Sequence, residues 1–94
     1  MSAHITKSCG NIFLDLGFPP DEAKILTMRA VLMTRLSELI ELKGLTQAEA
    51  AKMFGVKQSR VSDLVRGKWE RFSLDMLVTL ALRAGLHVEL NLAA

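Results

Sequence analysis

The side chains best equipped to do chemistry crowd into one stretch, "QAEAAKMFGVKQSRVSDLVRGKWER", Gln47 to Arg71. Gln58 carries a planar amide with donors and an acceptor, Arg60 a forked guanidinium, and Ser59 and Ser62 small hydroxyls. These groups bind by hydrogen bonds and charge rather than by reacting. Between Lys57 and Arg71 stand five cations (Lys57, Arg60, Arg66, Lys68, Arg71) against two acids (Asp63, Glu70), a local +3. The remaining seven cations and eight acids leave −1 elsewhere, so the whole basic excess of the +2 chain lies in those fifteen residues. A charge so placed suits a polyanion. Charge alone leaves open a basic turn that does no more than face water.

Catalytic and metal chemistry find no frame. The one cysteine, Cys9, has no histidine beside it, and His4 and His87 are far apart with no ligand spacing around either. No glycine-rich phosphate loop and no paired carboxylates occur. The expectation is a protein that is not an enzyme and holds neither metal nor cofactor. A single cysteine suits a reducing cytoplasm. "GNIFLDLGF" is interrupted by Asp15 and no small-residue cleavage site follows, so no signal peptide is expected. "MLVTLAL" is far too short to cross a bilayer.

The elements that must carry the polar stretch are helical. Ninety-four residues, half of them apolar, make one domain over residues 1–94, with Leu, Ala, Val and Met building the core. Met1 to Cys9 reads as frayed. Ile12, Phe13, Leu14, Leu16 and Phe18 make residues 1–20 an N-terminal flap that docks on the core. "PPDEA" then starts a helix from Asp21 to about Leu42, ended by Lys43-Gly44. Its first half is apolar on more than one face, so either the flap or another chain covers it. Thr46 with Glu49 forms a capping box for a short helix ending at Gly55. A second short helix runs from about Gln58 to Val65, and a further one from Ser73 to Gly85. Met28, Met33, Met53 and Met76 read as core filler and Trp69 as a partial cap over the core. In the tail, Leu86, Val88, Leu90 and Leu92 alternate with polar residues, which predicts a strand over 86–94. Its partner is either the same strand of a second copy, through Val88, Leu90 and Leu92, or the flap of the same chain. The fold expected is all-α: a bundle of about five helices plus that short C-terminal β-strand.

"QAEAAKMFGVKQSRVSDLVRG" resembles the helix-turn-helix of phage repressors of the lambda and Cro type, the XRE family of bacterial regulators. Ala51 matches the small residue where the two helices cross and Gly55 the turn glycine. Phe54, Val56, Val61 and Leu64 match the apolar locks, Gln47 the glutamine opening the first helix, and Gln58-Ser59 the pair opening the recognition helix. The resemblance implies a cytoplasmic protein, bacterial or phage-derived, whose recognition helix enters the major groove of double-stranded DNA. There Gln58 has the geometry for adenine and Arg60 the fork for guanine, while Ser59 and Ser62 donate to bases or phosphates. Lys57, Lys68, Arg71 and Arg66 flank the helix where phosphates run, and Gln47 meets a phosphate at its helix start. Arg60 has a competing partner in Asp63, three residues on. Asp63 itself either accepts from cytosine or sits at the edge.

A finer resemblance, to small HigA-type antitoxins, spans "NIFLDLGF", "EAKILTMRAVLMTRL", "GLTQAEAAKMFGVKQSRVSDLVRGK", "RFSLDMLVTLALRAG" and "HVELNL". It implies a homodimer that represses its own operon at an inverted-repeat operator and neutralises a toxin of the RelE/HigB type. A stand-alone transcription factor of the same fold, and a helical interaction module without DNA binding, are the rival readings.

Overall fold

The computed structural model describes residues 12–93, so the expectation for Met1 to Cys9 lies outside the described residues. The flap opens with a helical turn, α1, over residues 12–15. Gly17, at φ 93°, turns the chain into Pro19 and Pro20. Helix α2, Pro20–Leu42, starts with proline at its first position and Asp21 and Glu22 in its first turn, where the missing N–H costs nothing and acids face the positive dipole end. Helix α3, Gln47–Phe54, begins with the full capping box: the Thr46 hydroxyl accepts from Glu49 N at 3.1 Å and Thr46 N donates to the Glu49 carboxylate at 2.8 Å. Helix α4 is Gln58–Val65. A single 3₁₀ turn, Trp69–Arg71, leads to α5, Leu74–Arg83, whose N-cap Ser73 accepts from Met76 N at 3.1 Å.

One core joins these elements. Leu36 and Ile40 of α2, Phe54 of α3, Val61 and Leu64 of α4, and Leu77 and Leu80 of α5 are buried together with Phe72. Each large side chain so placed contributes roughly 1.5–3 kcal/mol. A second, smaller cluster forms where the flap docks: Phe13 packs on Ala23 and Leu26 of α2. Trp69 bridges the two clusters, edge-to-face with Phe13 at 5.4 Å and with Phe18 at 6.1 Å. The flap thus covers part of the apolar excess of α2 and leaves Ile25 and Met28 exposed. Thr27, buried nearby, satisfies its hydroxyl on the Ala23 carbonyl at 2.8 Å.

The C-terminal strand expected over 86–94 is not formed. Residues 86–93 run without regular structure, and no strand occurs among the described residues. The physical reason is the lack of a partner: the flap expected as one alternative is helical at residues 12–15, so among the described residues none offers a ladder of donors and acceptors. The two-residue period survives only in part. Leu86 and Val88 rest on the core, whereas Leu90 and Leu92 are 88% and 87% exposed.

Candidate nucleic-acid interface

The polar stretch folds as helix, tight turn, helix. Ala50 and Ala51 are small enough for α4 to cross α3 closely, and Phe54 fills the space between them; all three are buried. Gly55, at φ 70°, ends α3 in the left-handed region, and Val56 N then returns to the Ala51 carbonyl at 3.0 Å. Lys57 is extended and forms the N-cap of α4 without a side-chain bond. Val61 and Leu64 pin α4 to the core and so fix which side faces out.

Counted at about 100° per residue, Gln58, Ser59, Ser62 and Arg66 share one sector of α4, turned away from Val61 and Leu64. Gln58, Ser59 and Arg66 are exposed, Ser62 is half-buried between them, and Asp63 is half-buried at the sector's edge. Lys57 precedes this helix in the chain, and Lys68 and Arg71 follow it. Lys68 is held by its backbone N–H on the Asp63 carbonyl at 3.0 Å, and Arg71 by its own on the Lys68 carbonyl at 3.1 Å. Gln47, the first residue of α3, is half-buried beside its capping box. The arrangement offers amide, hydroxyl and carboxylate groups on one helix face with cations at both of its ends.

Two arginines depart from what spacing implies. Arg60 lies one turn before buried Leu64 on the same helical row, off the exposed sector. Its Nη1 donates to the Arg71 carbonyl at 3.3 Å and its guanidinium lies 5.7 Å from the centre of the buried Phe72 ring. The competing pair with Asp63 does not form: among the described residues the one contact of this kind is between His87 Nε2 and Glu89 Oε2, at 2.9 Å on the surface. Arg83, which the sequence marks only as a cation in the last turn of α5, reaches back to the helix-turn-helix. Its Nη1 donates to the Phe54 carbonyl at 2.9 Å, capping the end of α3 from another helix. Phe72 was likewise missed as a core residue, since its neighbours Arg71 and Ser73 carry no periodic signal. Among the described residues no three His, Cys, Asp or Glu gather as a metal site, and no helix is long and apolar enough to cross a membrane.

A family described as a helix-turn-helix domain matches residues 12–93. The chain is also 38% identical over 56 residues to the HTH-type transcriptional regulators for conjugative element R391 of Providencia rettgeri and for conjugative element SXT of Vibrio cholerae. The same identity and length relate it to the regulator for conjugative element pMERPH of Shewanella putrefaciens. The matched segment is 60% of this chain and spans only 26% of each relative.

Proposed function

This chain belongs to the helix-turn-helix domain family, and from that premise we propose that it is a sequence-specific DNA-binding transcriptional regulator. The observation that carries the reading is the single outward sector of α4, which holds Gln58, Ser59 and Ser62 with Arg66 at its end, in a stretch that also supplies Lys57 just before the helix and Lys68 and Arg71 just after it. One α-helix fits the major groove, where an amide pairs with adenine and hydroxyls serve either base or phosphate. The surrounding cations and the start of α3 at Gln47 hold the backbone and set register. Asp63, at the sector's edge, accepts from cytosine or screens the wrong base.

The protein acts as a homodimer on an inverted repeat. Leu90 lines an apolar groove walled by Met28, Val31, Leu74 and Val78, and both it and Leu92, two residues on, are exposed. A second copy there would cover them and give the extended tail, Val88 included, the ladder that one chain lacks. The finer role, an XRE-family autorepressor that is the HigA-type antitoxin of a type II pair, rests on the sequence resemblance. Exposed Ile12, Leu14, Leu16 and Ile25 offer an apolar surface to a RelE/HigB-type toxin. The regulators of conjugative elements favour a second reading, a stand-alone transcription factor. A toxin-like reading frame adjacent to the gene separates the two.

Fluorescence anisotropy tests the core proposal. The duplex is the DNA preceding the protein's own reading frame, with a scrambled duplex of equal composition beside it, each at two salt concentrations. Binding that prefers the upstream duplex at both salts supports a specific regulator. Equal binding to both duplexes, fading alike with salt, reduces the protein to a nonspecific polycation.

A further inference from the structure

Arg60 has the ideal fork for a guanine, yet it points elsewhere. It sits on the flank of α4, one turn before Leu64, and its Nη1 donates to the Arg71 carbonyl at 3.3 Å. The same guanidinium carbon lies over the ring of Phe72, which is buried. Both contacts reach eleven and twelve residues along the chain, to the far side of the 3₁₀ turn Trp69–Arg71. That turn is short and closed by Arg71 N on the Lys68 carbonyl at 3.1 Å, Phe72 N on the Trp69 carbonyl at 3.2 Å and Trp69 N on the Gly67 carbonyl at 2.9 Å, with Phe72 and Trp69 packed on the core, Lys68 half-buried and Arg71 exposed. Such 3₁₀ bonds are poorly aligned and a three-residue turn holds little by itself.

We infer that Arg60 is a positioning residue rather than a base reader: through the Arg71 carbonyl and the Phe72 ring it ties the recognition helix to the 3₁₀ turn and so sets where Lys68 and Arg71 meet the DNA backbone. The inference rests on the DNA-binding reading above and refines it. Base choice falls to Gln58, Ser59, Ser62 and Asp63, and Arg60 fixes the offset between those side chains and the phosphate grip. The acceptor is a backbone oxygen, so the strut is independent of the Arg71 side chain. That separation makes a clean test, because Arg71→Ala removes a phosphate contact and leaves the strut in place.

The experiment is a double-mutant cycle on the full chain with Arg60→Met, which keeps an apolar stem, and Arg71→Ala. Affinity for the upstream duplex is read at several salt concentrations, alongside relative affinities for single-base-pair variants of it. A positioning role predicts that Arg60→Met flattens preference modestly at every contacted position and lowers the salt slope by about one to two units. It also predicts strong coupling: Arg71→Ala, costly in the wild type, has less than half its fold effect after Arg60→Met. Arg60→Lys, which still donates to a carbonyl, restores part of the slope. Loss of preference at one base pair alone, with the salt slope and the Arg71→Ala effect intact, overturns the inference and returns Arg60 to guanine reading. Amide exchange in the free protein supplies an arm that needs no DNA. Arg60→Met should speed exchange at Arg71 and Phe72 about fivefold or more while leaving α2 amides unchanged; unchanged rates at those two amides overturn the strut. A wild-type protein that binds no duplex refutes the DNA-binding reading, and the exchange arm still decides the strut.

Discussion

Replacing Gly55 by alanine asks what the turn before the recognition helix demands. At φ 70° an L-residue pays roughly 1–2 kcal/mol, offset by about 0.4–1 kcal/mol from a stiffer unfolded chain. The net is about 1 kcal/mol, and Gly44, at φ 63° with nothing within 4 Å of an added Cβ, should lose that amount and no more. Gly55 has a further cost. Its Cβ would sit 3.2 Å from Arg83 Nη1, the nitrogen that donates to the Phe54 carbonyl at 2.9 Å. Displacing that bond forfeits up to about 1 kcal/mol more, a figure kept low because Arg83 is largely in water. The total is about 2 kcal/mol for Gly55→Ala against about 1 for Gly44→Ala. For a domain of this size each kcal/mol lowers the melting temperature by about 4–8 °C. Thermal unfolding followed by circular dichroism should therefore give a drop of about 8–16 °C at Gly55 and about 4–8 °C at Gly44. In an Arg83→Ala background the two substitutions should become equal. Equal drops in the wild-type background would refute the claim that Arg83 braces the turn.

Three further outcomes follow from the same contacts. Thr46→Ala removes the acceptor for Glu49 N and should cost about 1 kcal/mol in urea unfolding, with the m-value unchanged. Lys68→Ala should weaken binding to upstream and scrambled duplexes alike and lower the salt slope by about one unit, leaving the ranking of base-pair variants intact. Leu90→Asp with Leu92→Asp places two acids where a second copy is proposed to dock. Sedimentation should then shift to monomer while the melting temperature of the single chain moves by no more than a few degrees, since both side chains are exposed.

Local signals in the sequence carried the helices well. The capping box at Thr46, the glycine at Gly55 and the serine at Ser73 each act within four residues, so their chemistry is complete in the string of letters. The sector of Gln58, Ser59 and Ser62 was legible for the same reason: Val61 and Leu64 declare the buried side. Contacts closed over longer separations were not legible. Arg83 meets Phe54 across 29 residues, and Arg60 meets Arg71 across eleven, with nothing local to distinguish either from a solvated cation. Phe72 follows a turn too short to show a period, yet it is buried, whereas Trp69, legible as a partial cap over the core, packs on both apolar clusters. The tail misled in the opposite sense. Its alternation is real, but a strand needs a neighbour, and the sequence pattern contains no information on whether one is present.

The central claim is that the outward sector of α4 reads base pairs. Selection from a randomised duplex pool tests it most directly, with wild-type protein and with Gln58→Ala run in parallel. The wild type should enrich an inverted repeat whose half-site centres lie about 10 base pairs apart. Gln58→Ala should lose preference at one symmetric pair of positions, where adenine stood, and keep the rest. A wild-type pool that stays random after repeated rounds, or a Gln58→Ala pool identical to the wild-type one, would contradict that claim.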